Sequence, residues 1–347
     1  MKKIHYILSF LVLFSVGNLK AQDIHFSQVN EVPLFLSPAN TGFYNGYFRA
    51  IINYRNQWAA MNKAFQTYAI SIDGGLFKSK RRKAFLGMGL TIYRDQAGVA
   101  KLNTTNAMFN VSGLVKMSRR SVLSAGIGFG IAATNGDYSK LIYESQFDGN
   151  VFDPAASTGE KVVYRQFTTY DLAAGLAYEF STAISDQDHD DVRSFKIAAG
   201  AYHLNKPEQN YGAGSQYHLP IRWVLSLNSH FDFEDTKFSM APMLVYQQQA
   251  KNWELVGGTY VKYRTRTGTK TTGKRTENGI GVGLFYRYQD ALIPKLIYEA
   301  GDLAIGIAYD VNVSGYRAAS RYRGGFEVSL RYNNLASSLF VARKEYR

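Results

Sequence analysis

Several stretches of this 347-residue chain hold residue types in an order that could do chemistry, and each lacks a part its chemistry needs. Gly268 to Arg275 reads Gly-Thr-Lys-Thr-Thr-Gly-Lys-Arg, close to a phosphate-binding loop. Such a loop needs a Ser or Thr hydroxyl for magnesium after its lysine, and a helix whose first amides point at the phosphate. Arg275 stands in the hydroxyl's place and no helical pattern follows, so the stretch reads as a basic turn. Asp186, Asp188, Asp190 and Asp191 resemble the opening of a calcium loop. The sharp turn there requires glycine where Asp191 stands, and the closing bidentate glutamate falls on Ile197. A solvated acidic turn is the reading, with a loose calcium contact as its alternative. The histidines (His5, His25, His189, His203, His218 and His230) show no i, i+4 pair and none lies beside a glutamate, which leaves zinc without support. His203 could serve a hydrolytic serine, but none stands near it in sequence. No catalytic residue, cofactor or metal site is assigned, and the chain is expected not to be an enzyme.

The elements that carry these residues are strands. Glycines at 126, 128 and 130, and again at 279, 281 and 283, alternate with Ile127, Phe129, Ile280 and Val282. Period two is the mark of a strand with one bare face, and it differs from a dinucleotide fingerprint. Thr169–Phe180 and Ala84–Tyr93 show the same division into an oily face and a polar or empty one. Similar segments occur at Tyr47–Arg55, Phe65–Asp73, Asn106–Lys116, Ser121–Ala132, Arg193–His203, Leu219–Phe231, Thr236–Tyr246, Trp253–Tyr263, Asn278–Arg287, Ala291–Tyr298, Asp302–Asp310 and Arg323–Tyr332. Most are about 9–12 residues, the length a tilted strand needs to cross a bilayer. Aromatics such as Tyr178, Phe180, Tyr263 and Tyr332 end several oily faces, where an interface girdle belongs. The fold expected is all-β, a transmembrane antiparallel barrel of about fourteen strands spanning residues 47–332. A soluble pair of stacked sheets is the alternative, and shorter strands of ~5–6 residues would mark it.

The first residues suit export. Met1-Lys2-Lys3, an apolar run from Ile4 to Val16 and a small residue at Ala21 form a signal peptide over 1–21, too short for a spanning helix. There is no cysteine, so neither a disulfide nor a thiol-linked lipid is available. Lys and Arg number 40 against 27 Asp and Glu, a net charge of +13. In an exported chain that surplus points to anionic lipid or an acidic protein partner, with no role for nucleic acid.

An even strand count puts both chain ends on the periplasmic side. The longest connection, 133–168, then lies outside. A basic set falls on the periplasmic rim: Lys78, Lys80, Arg81, Arg82, Lys83, Arg119 and Arg120. Charged turns of this kind can simply anchor a barrel against sliding, or can dock an acidic partner.

The segment Gln22-Asp23-Ile24-His25-Phe26-Ser27-Gln28, followed by Pro33-Leu34-Phe35-Leu36-Ser37-Pro38-Ala39-Asn40 and by Tyr54-Arg55-Asn56-Gln57-Trp58, resembles the N-terminal signature of the PorP/SprF family of the Bacteroidetes type IX secretion system. Gly200 to Pro207, Asp290 to Pro294, Ile305 to Asp310 and Gly324 to Tyr332 resemble its later strands, so the likeness covers about 22–332. The tail at 333–347 runs past the family's closing strand. The resemblance implies an outer-membrane barrel that works with periplasmic type IX components. Its task would be secretion or surface attachment of cargo bearing a C-terminal sorting domain, gliding adhesins included. A passive porin is the rival. Residues 22–46 are expected to be an irregular periplasmic segment, since Pro33 and Pro38 disfavour helix, with a lumen plug and a partner-binding surface both open.

Overall fold

The computed structural model describes residues 23–57, 65–78, 82–98, 100–136, 141–157, 166–182, 193–210, 217–233, 235–266, 278–315 and 321–334. Fourteen strands close into one antiparallel barrel. They are β1 Phe48–Gln57, β2 Phe65–Leu76, β3 Ala84–Ala97, β4 Leu102–Lys116, β5 Ser121–Asn135, β6 Phe167–Ser181, β7 Arg193–Tyr202, β8 Arg222–Asp232, β9 Phe238–Gln249, β10 Asn252–Arg266, β11 Asn278–Arg287, β12 Ala291–Ala300, β13 Leu303–Asn312 and β14 Arg323–Asn333. Each pairs with its neighbour in sequence, and β1 pairs with β14 to complete the ring, with Arg55 opposite Glu327 at that seam. Every edge is therefore paired, as a strand in hydrocarbon requires. Among the described residues no helix is long and apolar enough to cross a membrane.

Each expected strand is present, and the differences lie at the ends. Strands β3, β4 and β6 run past the oily alternation to Ala97 and back to Leu102 and Phe167. Strand β8 starts at Arg222 because Pro220 just before it brings no backbone donor to the ladder. The outward face is a continuous apolar belt; Ile70, Leu90, Phe129 and Leu296 are each more than two-fifths exposed. A belt of that extent would associate in water and is at home in lipid. Two aromatic girdles bound it. On the rim where β1 begins and β14 ends, Phe48 meets Tyr332 and Phe238 meets Tyr263. At the opposite rim Tyr54 meets Tyr68, and Trp253 stacks on Tyr288 at 5.5 Å. The rim where β1 begins and β14 ends is the periplasmic one, since the longest connection, between β5 and β6, leaves the other. Asp23, at the N-terminal end of the described chain, lies instead at the extracellular mouth, against the expectation that both chain ends are periplasmic.

The first described segment departs most from expectation. Residues 23–47 do not lie beneath the barrel; they run through its lumen and emerge at the periplasmic rim into β1. Nor is the segment extended. It holds three short helical turns, Val29–Glu31, Pro33–Leu36 and Pro38–Asn40. Both prolines occupy the first position of a turn, where the missing N–H has no helical partner to lose and the fixed φ suits the helix. Ser37 caps the last turn by accepting the amide of Ala39. The bare inward face found in the sequence is what makes room. A Cβ on Gly126 would stand 2.5 Å from the Pro38 carbonyl carbon, and one on Gly200 2.3 Å from the Leu36 oxygen. Gly200→Val should therefore lift this segment off the wall. We expect faster amide exchange at residues 34–42 with the barrel's own strands still protected.

Candidate functional site

The inward side chains of the strands grip residues 23–47 at three levels. At the extracellular end, the carboxylate of Asp23 lies 2.5 Å from His203 Nε2 and 3.2 Å from Arg222 Nε. The other ring nitrogen of His203 faces Asp171 at 3.0 Å. A ring with a carboxylate facing each nitrogen is stabilised as the imidazolium. Burial alone would lower the His203 pKa, but Asp23 and Asp171 outweigh it and raise it to about 9. Burial likewise pushes Asp23 up, while His203, Arg222 and Gln249 pull it well below the usual carboxylate range. The His203 contribution is complete below its unfolded pKa near 6.5 and is lost as pH rises through about 9. That of Asp23 is present above ~4 and is lost only in strong acid. Between pH 7 and 10 this end should loosen by about 2–3 kcal/mol. Amide exchange at residues 23–28, corrected for its intrinsic pH dependence, measures it.

Just below, Ser27, Gln28 and the strand charges form a buried network. Glu327 on β14 accepts the Ser27 amide at 2.7 Å and the Gln28 amide at 3.0 Å. Arg55 on β1 pairs with Glu327 at 3.3 Å and with Asp310 on β13 at 3.0 Å. Arg287 on β11 also reaches Asp310 at 3.0 Å and donates to the Ser27 hydroxyl at 2.8 Å. His25 lies on the same arginines, its Nε2 3.2 Å from Arg55. Since a guanidinium can only donate, that nitrogen accepts. Burial and the repulsion of Arg55 and Arg287 hold the His25 pKa well below its ordinary value, so the ring is neutral. One turn further in, Glu31 pairs with Lys295 at 3.5 Å and Arg331 at 3.0 Å.

The middle is held by backbone capping. Tyr202 donates to the Leu34 carbonyl, Ser124 to that of Ala39 and Ser112 to that of Thr41. Val29 and Leu36 join an apolar cluster with inward Met108, Val224, Val245 and Ile293, and Phe26 packs with Val32, Phe35 and Ala69. At the periplasmic end Asp73 takes a two-pronged bond from Arg49 (2.9 and 2.8 Å) and the Gly42 amide (2.7 Å). Lys196 donates to the Phe43 carbonyl and sits 3.9 Å over its ring. The segment is a plug fastened to both halves of the barrel.

The residues singled out in the sequence sort accordingly. His25, Phe26, Ser27, Gln28, Pro33, Leu34, Pro38 and Ala39 belong to the plug, and Arg55 to its receptor; Gln57 lines the space above it. Tyr54 points outward into the girdle, and Trp58 lies outside the described residues. The supposed basic rim is divided. Lys78 is buried and donates to the carbonyls of Tyr44 and Gly46, so it fastens the plug and is not offered to a partner. Its burial, with Lys116 and Arg49 nearby, lowers its pKa to about 7. Arg82, Lys83, Arg119 and Arg120 are exposed, while Lys80 and Arg81 lie outside the described residues. So do the glycine-lysine turn after 266 and the aspartate run after 185. Among the described residues no group of histidine, cysteine and carboxylate side chains could hold a metal. Of the receptor residues, Asp310 and Glu327 fall in stretches that resemble the family's later strands without a role attached to them, and Arg287, Arg49 and Asp73 fall in none. Their signal was a charge at an inward position of an oily strand.

Above the plug the lumen opens into a vestibule with a cavity of about 650 Å³, floored by Asp23, Ile24 and His25. Over residues 18–332 the sequence matches the model of a family described as type IX secretion system membrane protein PorP/SprF. No curated protein matches the chain. Among solved structures, the toluene transporter TbuX of Ralstonia pickettii is 10% identical with a TM-score of 0.44, covering 87% of this chain and 93% of its own. A TodX monoaromatic hydrocarbon channel mutant is 8% identical with a TM-score of 0.45, at 87% and 93% coverage. CdiB of Acinetobacter baumannii is 8% identical with a TM-score of 0.42, at 83% and 60%. These are loose resemblances of shape.

Proposed function

The chain belongs to the PorP/SprF family of type IX secretion system membrane proteins, an outer-membrane β-barrel, and from that premise we propose that it is a non-enzymatic attachment component. It supports secretion or surface anchoring of cargo with a C-terminal sorting domain, gliding adhesins among them. The observation that carries this reading is the plug. A lumen crossed from mouth to rim by the chain's own residues, fastened by buried ion pairs, suits a rigid anchor better than a conduit. It speaks against the passive porin, whose lumen must admit water and solute along its whole length.

In this reading extracellular loops and the vestibule meet cargo, while the periplasmic turns meet the secretion apparatus. Arg82, Lys83, Arg119 and Arg120 sit beside exposed Phe77 and Met117, and Arg82 lies 5.5 Å over the Phe77 ring. A cationic surface with aromatic and thioether contacts fits an acidic periplasmic partner. Reversing these four charges to glutamate should cut both co-purification of periplasmic components and cargo display by roughly tenfold, or about 1.4 kcal/mol. Barrel abundance in the outer membrane should stay unchanged. Unaltered cargo display with those charges reversed would remove the partner surface from the account.

A further inference from the structure

The vestibule above the plug has a volume inside the ~300–1,000 Å³ range of ligand pockets, and its floor is closed by Asp23, Ile24 and His25. Its titratable groups include Asp23, His25, Arg55, Asp95, Asp171 and His203. Most are satisfied by one another or by the wall. Asp23 is held by His203 and Arg222, and Arg55 by Asp310 and Glu327. Arg287 is shared among Asp310, Asp290 and Glu254. His25 is neutral and accepts from Arg55. Two acceptors are left over. Asp95 on β3 has a neutral partner, the Thr67 hydroxyl at 2.6 Å. Asp171 on β6 is 3% exposed and faces His203 Nδ1 at 3.0 Å, yet neither of its oxygens has a hydrogen-bond partner among the described residues. Both carboxylates line the same cavity, in a protein whose overall charge is +13.

A buried carboxylate oxygen without a donor is costly, and a donor that arrives with a positive charge is the best remedy. Between the two strands, Thr104 and Thr134 stand 3.2 Å apart by their hydroxyls on the cavity wall. They can donate to carbonyl oxygens or accept from N–H groups. Tyr93 and Leu102 add apolar wall for an aliphatic stem.

We propose that the vestibule is a receptor for a cationic peptide segment entering from the extracellular side. Its lysine or arginine side chain runs along Tyr93 and Leu102 and meets Asp95, with the buried Asp171 carboxylate adding negative charge behind the wall, while its backbone bonds to the threonines. The plug makes the site blind, so the segment docks and does not pass through. The site is the vestibule where the attachment reading places cargo, and binding to the purified barrel is measured without any secretion step.

The test uses the full-length protein purified in detergent and immobilised hexapeptide pools with a fixed central lysine, arginine or norleucine and randomised flanks, with free n-butylamine and agmatine as the non-peptide arm. The lysine or arginine pool should bind saturably and at least tenfold more tightly than the norleucine pool. Asp95→Asn should weaken that binding at least tenfold with the urea midpoint of unfolding unchanged. Neither free amine should compete at the peptide's concentration. Equal binding of the norleucine pool, an affinity within twofold in Asp95→Asn, or full competition by butylamine or agmatine would each overturn the proposal.

Discussion

Glu327→Ala should lower the urea midpoint of unfolding by about 1 M, the largest effect of any single wall substitution. Glu327 is 1% exposed and stands at the β1–β14 seam, the pairing that closes the ring, directly opposite Arg55. Its two oxygens take the amides of Ser27 and Gln28 as well as the Arg55 guanidinium. Removing them leaves two buried donors without acceptors, at about 1–3 kcal/mol each, and strips Arg55 of one of its two carboxylates. Asp310 still neutralises Arg55, so the total stays near the lower end of the ~3–5 kcal/mol expected for a broken buried pair. With a urea slope of about 3 kcal/mol/M, that is the 1 M shift. Glu327→Gln keeps an acceptor oxygen and the side chain's volume, and should fall between the two. Equal midpoints for Glu327→Ala and the parent would mean that the plug is not fastened there.

Emptying the lumen is the second large effect. Planar-bilayer recordings of the intact barrel should show no steady open level, whereas a chain lacking residues 23–42 should conduct, with current rising roughly tenfold or more. Many wall residues that face the plug are charged, among them Arg49, Arg55, Asp73, Glu327 and Arg331, and without it they would line water. If the deletion prevents folding, Gly126→Leu combined with Gly200→Leu offers a second route. The added side chains would occupy the space of Pro38 and Leu36 and displace the plug from within. Steady conductance from the unaltered protein would restore the porin reading.

How far these results could be read in advance depended on which physical signal each residue carries. All fourteen strands were visible because each has an oily face, and a lipid-facing alternation such as Leu123 to Ile131 cannot be disguised. The extracellular extensions were not visible. Around Asp95, Gln96, Leu102 and Thr104 both faces of the sheet are largely polar, so the alternation fades although the ladder continues. The plug was half visible. The alternating glycines from Gly126 to Gly130 advertise a bare inner face, but the sequence does not say whether water, a partner or the chain itself fills it. Pro33 and Pro38 argued against helix only on the assumption that they lie inside one; at the first position of a turn they favour it. The sharpest miss was Lys78. Five basic residues within Lys78 to Lys83 read as one surface, yet the first reaches the backbone of Tyr44 and Gly46. Local sequence cannot show that, because the partner carbonyls lie more than thirty residues away.

A plug requires residues 23–47 to run from the extracellular mouth to the periplasmic rim. With no native cysteine, the chain allows a direct measurement. Single substitutions Ile24→Cys, in the vestibule floor, and Tyr47→Cys, 44% exposed at the periplasmic rim, can be treated on intact cells with a membrane-impermeant methanethiosulfonate reagent. We predict that Ile24→Cys reacts from outside, and that Tyr47→Cys reacts only after the outer membrane is permeabilised. Protection of Ile24→Cys on intact cells, with reaction appearing on permeabilisation, would place the segment beneath the barrel and contradict the plug.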